Sequence, residues 1–254
     1  MSDKPTHVES TEPSATADHH DSQSINLLSV MSKSSNSVVK LVSIQLNEKK
    51  EIVKSDQGTG YFVAGAGDSC VLATADHVIK PTDPTLPEIN IAILADGKEY
   101  VAQPLIRAPS ADEALLKVVN VSDPQSLCQP LELEDHPTGK IGDQVATGGF
   151  PDNGQFVAAT GRLLGVENRA SLTRQGVNME DNPDLSMDLP LIMVAAEGTA
   201  DHGSSGGPWM DANGKVLGTM SMGFSKPDSK ADVSAFVPAE YMQKLIDALK
   251  KPAE

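Results

Sequence analysis

Three short segments carry residue types that together perform nucleophilic chemistry: Gly203-Ser204-Ser205-Gly206-Gly207-Pro208, Thr74-Ala75-Asp76-His77 and Ala111-Asp112-Glu113-Ala114-Leu115-Leu116-Lys117. A serine hydroxyl is a weak nucleophile near neutral pH. It needs a base to take its proton and donors to hold the oxyanion formed on the attacked carbonyl. Ser205 is the candidate nucleophile, and the amides of Gly203 and Ser205 are the candidate oxyanion donors. Gly206 and Gly207 permit the close backbone approach and unusual dihedrals that such a turn requires. The plain alternative is a Gly-Ser-rich loop with no chemistry.

His77 is the candidate base, because a neutral imidazole accepts a proton near pH 7. It follows the apolar run Val71-Leu72-Ala73-Thr74 and so sits at a strand end. Asp112 is the candidate carboxylate that orients the imidazole and stabilises the imidazolium. It precedes Ala114-Leu115-Leu116-Lys117-Val118, which reads as a buried strand, so its side chain can reach a cleft. The alternative is an exposed turn aspartate, with Glu113 beside it. Asp76 is a rival orienting group, but a sequence neighbour reaches the far ring nitrogen of His77 with difficulty. Asp201 and His202 read as rim residues, since a base should approach the hydroxyl from across a cleft.

The elements that must position these residues are short strands. Val38–Leu46 is β-branched and partly alternating, and similar runs recur at 60–64, 70–74, 89–94, 99–104, 114–120, 144–148, 155–164, 191–196, 216–222 and 234–237. Turn signals such as Asp96-Gly97-Lys98 and Asp211-Ala212-Asn213-Gly214 separate some of them. Short strands without long helices between them predict an all-β protein of barrels or a sandwich. Residues 121–137, rich in Pro, Asp, Ser and Glu, read as the connector between an N-terminal half (25–125) and a C-terminal half (126–254). Pro238–Lys251 predicts a terminal amphipathic helix whose Tyr241, Met242, Leu245, Ile246 and Leu249 face the second half. Residues 1–24 are polar and predict a disordered tail, in which His7, His19 and His20 are solvated rather than a metal site.

The net charge of −15, from 20 basic and 35 acidic residues, disfavours nucleic acid or an anionic membrane as the main partner. No stretch approaches the ~20 apolar residues of a membrane span. No secretory signal is visible at the start, which makes a cytoplasmic location the default and leaves periplasmic or secreted forms open. Cys70 and Cys128 allow one bridge at most; two buried free thiols are the favoured reading, with their pairing left open.

With these segments in place the chain resembles the HtrA/DegP family of trypsin-like serine proteases. The resemblance extends through Gln57-Gly58-Thr59-Gly60-Tyr61-Phe62-Val63, Leu72–Ile79, Asp112–Val118, Gly148-Gly149-Phe150-Pro151, Gln155–Gly165, Asp211–Met222 and Ala235-Phe236-Val237-Pro238, all in the family's order. It implies two six-stranded antiparallel β-barrels with a C-terminal helix, and a cleft between them holding His77, Asp112 and Ser205. It further implies endopeptidase chemistry through an acyl-enzyme on polypeptide substrates, with no metal or organic cofactor and with a homo-oligomer left open. The family's Asn-Pro-Gly-Asn-Ser is here Asp201-His202-Gly203-Ser204-Ser205. That departure leaves a latent or non-catalytic binding module as the alternative. The specificity pocket is expected from Thr199, Ser221, Met222 and Gly223. Thr199 stands where a trypsin carries its acidic floor, and Met220 and Met222 point to small or medium apolar side chains. Residues 166–190 read as a long polar loop of low stability, in the position of the family's regulatory loop.

Overall fold

The computed structural model describes residues 27–65, 70–134, 139–151, 154–179, 182–197, 203–225 and 232–251. The tail at 1–24 lies outside them, as do Thr199, Asp201 and His202.

Twelve strands form two closed antiparallel barrels, ordered β1-β2-β3-β6-β5-β4 and β10-β11-β12-β9-β8-β7. The first holds β1 (Val38–Leu46), β2 (Ile52–Ala64), β3 (Cys70–Thr74), β4 (Glu88–Ile93), β5 (Glu99–Ala108) and β6 (Glu113–Val118). The second holds β7 (Gln144–Gly149), β8 (Val157–Asn168), β9 (Pro190–Glu197), β10 (Pro208–Met210), β11 (Val216–Ser225) and β12 (Asp232–Pro238). β1 pairs with both β2 and β4, which closes the first barrel and leaves no open edge. The barrel architecture expected from the resemblance is therefore present, and the sandwich is not. β10 escaped the sequence reading, since three residues between a loop and a turn leave too little periodicity.

The two barrels have separate interiors and share a third core between them. Leu41, Phe62, Leu72, Ile79 and Leu116 fill the first. In the second, Trp209 stacks on Phe236 with ring centroids 6.1 Å apart. Between the barrels, Tyr61, Val63 and Leu115 meet Val216, Met242 and Ile246. Helix α1 (27–34) adds Leu27 and Met31 to this shared core. The connector stitches the barrels together. The Leu131 amide donates to Phe62 O at 2.8 Å, and the Glu134 amide donates to Val216 O at 2.8 Å.

Two expectations are corrected here. Cys70 and Cys128 are not free thiols. They form a disulfide across 58 residues, with Cα atoms 5.5 Å apart, tying β3 to the short helix α2 (Pro124–Leu127). The sequence could not show this, because only the closed barrel brings the connector back over β3. The terminal helix α4 (Ala239–Lys250) does not dock on the second barrel alone: it packs against β6 of the first as well as β11 and β12. Fully burying Met242 and Ile246 in the shared core is worth about 1.5–3 kcal/mol each, so α4 acts as a clamp across both barrels.

Candidate active site

His77 is placed by β3, whose five residues are all buried, and by the 3-10 turn Asp76–Ile79 that follows. Asp112 ends the 3-10 turn Pro109–Ala111 between β5 and β6. Its backbone is left-handed, with φ +52° and ψ +43°, a region in which Asp is one of the few tolerated L residues. That twist, immediately before β6, brings the carboxylate onto the His77 turn. His77 Nδ1 lies 2.9 and 3.0 Å from the two Asp112 oxygens, and the His77 amide donates to Oδ1 at 3.0 Å. The Ser221 hydroxyl donates to Oδ2 at 2.5 Å. Asp112 is 3 % exposed, so its charge is held by these donors rather than by water. An ionised carboxylate only accepts hydrogen bonds, so a neutral imidazole bonded to it carries its proton on Nδ1 and keeps Nε2 as an acceptor.

Ser205 lies in the loop before β10, half-buried, and lines the same cleft of about 1100 Å³ as His77. Gly203, Met220, Ser221, Met222 and Gly223 line it too. Two loop glycines are required by geometry. Gly203 has φ +92° and Gly206 φ +83°. A Cβ on Gly206 would run into the Thr59 carbonyl and the Thr74 hydroxyl. Among the described residues, the amides of Gly203 and Ser205 have no acceptor.

The first barrel holds this loop through Thr59. Its amide donates to Ser205 O at 2.8 Å, and its hydroxyl donates to Gly203 O at 2.7 Å while accepting from the Phe150 amide at 3.0 Å. Its carbonyl accepts from the Thr74 hydroxyl at 2.7 Å, which links the Ser205 loop to the end of β3 three residues before His77. Within the second barrel, the Gly206 amide donates to Met220 O at 2.7 Å.

Beneath Asp112 sits a buried acid. Glu113 is fully enclosed, and among the described residues neither of its oxygens has a partner in good hydrogen-bonding geometry. Burial pushes its pKa well up, the nearby Thr219 hydroxyl offsets part of that, and the Asp112 charge adds to it. The Thr219 hydroxyl is 2.9 Å from the Tyr61 hydroxyl, whose pKa burial likewise raises.

The sequence-derived residues are thus accounted for as follows. His77 and Asp112 are joined, with Ser205 and Gly203 on the same cleft. Of the pocket candidates, Met222 and Gly223 line the cleft, and Ser221 lines it with its hydroxyl turned onto Asp112. Asp76 is occupied elsewhere, by a bidentate pair with Arg107 at 2.7 and 3.0 Å. The 166–190 segment is not a loosely held polar loop. It contains the end of β8 and helix α3 (Arg169–Arg174), and buries Leu172, Met179, Leu185 and Leu189. Arg169 donates to the carbonyls of Pro183 and Leu185, and the Ser186 amide donates to Ser110 O at 2.8 Å, two residues before Asp112. Its four apolar anchors follow no regular period, which hid them in the sequence. Thr59, Arg107 and the role of Ser221 were also missed. The only hint was a threonine between two strand glycines, Gly58 and Gly60.

Residues 58–218 match the trypsin-like peptidase domain family. The chain belongs to that family. This trypsin-like peptidase domain is 26 % identical over 197 residues to a probable periplasmic serine endoprotease, DegP-like, of Marinomonas sp. (strain MWYL1), covering 78 % of this chain and 36 % of that protein. It is 29 % identical over 185 residues to the serine protease Rv3671c of Mycobacterium tuberculosis (strain ATCC 25618 / H37Rv), covering 72 % of this chain and 39 % of that protein. The chain thus spans under two fifths of the length of these curated relatives. The crystal structure of the Rv3671c protease in its active form superposes with a TM-score of 0.66 at 21 % identity, covering 100 % of this chain and 97 % of that one. The likeness extends to the whole two-barrel fold.

Proposed function

We propose that this peptidase domain is a serine endopeptidase working through an acyl-enzyme, with Ser205 as nucleophile, His77 as general base and Asp112 as the orienting carboxylate. The observation that carries this is the His77–Asp112 pair, bonded through Nδ1 and facing the cleft that Ser205 shares. Ser205 Oγ attacks the scissile carbonyl carbon while its proton passes to His77 Nε2. Asp112, with Ser221 and the His77 amide as its other donors, stabilises the imidazolium. The Gly203 and Ser205 amides hold the oxyanion. The imidazolium then protonates the leaving amine, and a water repeats the sequence to release the acid.

Substrates are unfolded or exposed polypeptide segments, as suits an open groove. Met220 and Met222 on the pocket wall favour small or medium apolar side chains, since thioethers adapt to irregular shapes. The Cys70–Cys128 bridge favours an oxidising compartment over the cytoplasm expected from the sequence. The test is turnover of a denatured protein by the oxidised domain. Cleavage after apolar residues, lost in Ser205→Ala and His77→Ala, supports the proposal. Undiminished cleavage in either variant, or cleavage confined to Lys and Arg sites, refutes the role or the preference respectively.

A further inference from the structure

Asp76 stands beside His77 in sequence and is almost fully buried, and its carboxylate is gripped by the Arg107 guanidinium, Nε to Oδ1 at 2.7 Å and Nη2 to Oδ2 at 3.0 Å. Arg107 lies on β5, where it pairs in register with Ala114 of β6, five residues before Asp112. The bidentate pair therefore spans the same two elements as the His77–Asp112 contact: the turn after β3 and the end of the β5–β6 hairpin. It also sets the local charge. A second carboxylate next to His77 would favour the imidazolium, and the guanidinium cancels it.

We propose that Arg107 and Asp76 are positioning residues for His77: together they lock its turn against the Asp112 turn and neutralise the extra carboxylate, so that the ring is steered by Asp112 alone. This rests on the triad reading above. Other charged groups line the cleft, Lys54, Asp56, Lys80 and Asp232 among them. Asp112 contacts the ring from the turn before β6, and Glu113, whose pKa burial pushes up, follows Asp112 in the chain. Lys80, on its own side, is paired with Asp184 of the 182–189 segment, and Lys54 of β2 is paired with Asp56. Among the described residues, Asp76 is the buried carboxylate of the His77 turn that holds a guanidinium.

The test is to follow the His77 ring resonances by NMR as pH is changed, in a Ser205→Ala background, with kcat and KM measured against pH in the active protein. Arg107→Gln is expected to move the His77 titration up by about half a pH unit, because it leaves the Asp76 charge uncancelled. It should also lower kcat about tenfold at pH 7 with KM nearly unchanged. Asp76→Asn is expected to move the titration down, since the cation is then unbalanced, and Asp76→Asn/Arg107→Gln to return it near wild type. The double variant leaves no unpaired charge, and in Asp76→Asn the stranded guanidinium is the partly exposed Arg107, so both remain informative if Arg107→Gln unfolds. Shifts of the same sign in both single variants, or none, would overturn the proposal. Because the NMR titration needs no turnover, an inactive wild type would sink the protease reading while leaving the Arg107–Asp76 effect separately decided.

Discussion

Replacing Glu113 with Gln should change how stability depends on pH. The carboxyl is enclosed between β2, β6 and β11, with the Thr219 hydroxyl offsetting only part of the burial, and its pKa lies well above the ordinary carboxyl value. In the unfolded chain the same group titrates near the usual ~4.3. A group whose folded pKa is raised contributes its full share of stability below the unfolded value and loses it as pH rises through the folded one. Over that window the folded state binds more protons than the unfolded one. Each pH unit then removes about 1.4 kcal/mol through this group alone. For a domain of this size that corresponds to about 3–5 °C in Tm per pH unit. The amide of Glu113→Gln is isosteric and does not titrate, so the difference between the two melting curves isolates Glu113. The assay is thermal unfolding by circular dichroism from pH 4 to 8, with both proteins in a Ser205→Ala background to prevent self-cleavage. Wild type should lose ground on the variant steadily above about pH 4.5, where the unfolded carboxyl ionises. Parallel Tm curves from pH 5 to 8 would refute the view that burial governs this acid.

Three further outcomes follow from the geometry. Gly206→Ala combines a left-handed backbone with a Cβ driven into Thr59 O and the Thr74 hydroxyl, and should destabilise the domain by about 2–4 kcal/mol in urea unfolding and abolish measurable turnover. Ser221→Ala removes one charge-assisted donor from Asp112, and should lower kcat about ten- to hundredfold with little change in Tm. Opening the 58-residue loop with Cys70→Ser/Cys128→Ser should lower stability by about 4 kcal/mol in urea unfolding, and a loss under 1 kcal/mol would show that the bridge is incidental.

Much of this site was legible because its chemistry is local in sequence. Ser205 announces itself by the glycines around it, His77 by the apolar strand before it, and Asp112 by the buried strand after it. Strand alternation, as in β1, gave most of the twelve strands, and only the three-residue β10 lacked the length to show. What stayed hidden depends on pairs made by the closed barrels. Nothing near Arg107 in sequence names Asp76, 31 residues away, as its partner. Thr59 reads as an ordinary strand residue until Gly203, 144 residues on, is folded against it. Nothing beside Glu113 in the sequence marks it as buried, because the contact that encloses it involves Thr219 on β11 of the other barrel. The same holds for α4, whose amphipathic stripe was plain but whose seat across both barrels was not, and for the disulfide.

The central claim is that the hydroxyl of Ser205 is activated by the imidazole of His77 under the direction of Asp112. The most direct measurement is intact mass and peptide mapping after treatment with a fluorophosphonate, which reacts with an activated serine and not with an ordinary one. The expected result is a single adduct on Ser205, absent in Ser205→Ala and His77→Ala and strongly slowed in Asp112→Asn. An unmodified wild type, or an adduct on Ser205 that persists at full rate without His77, would contradict it.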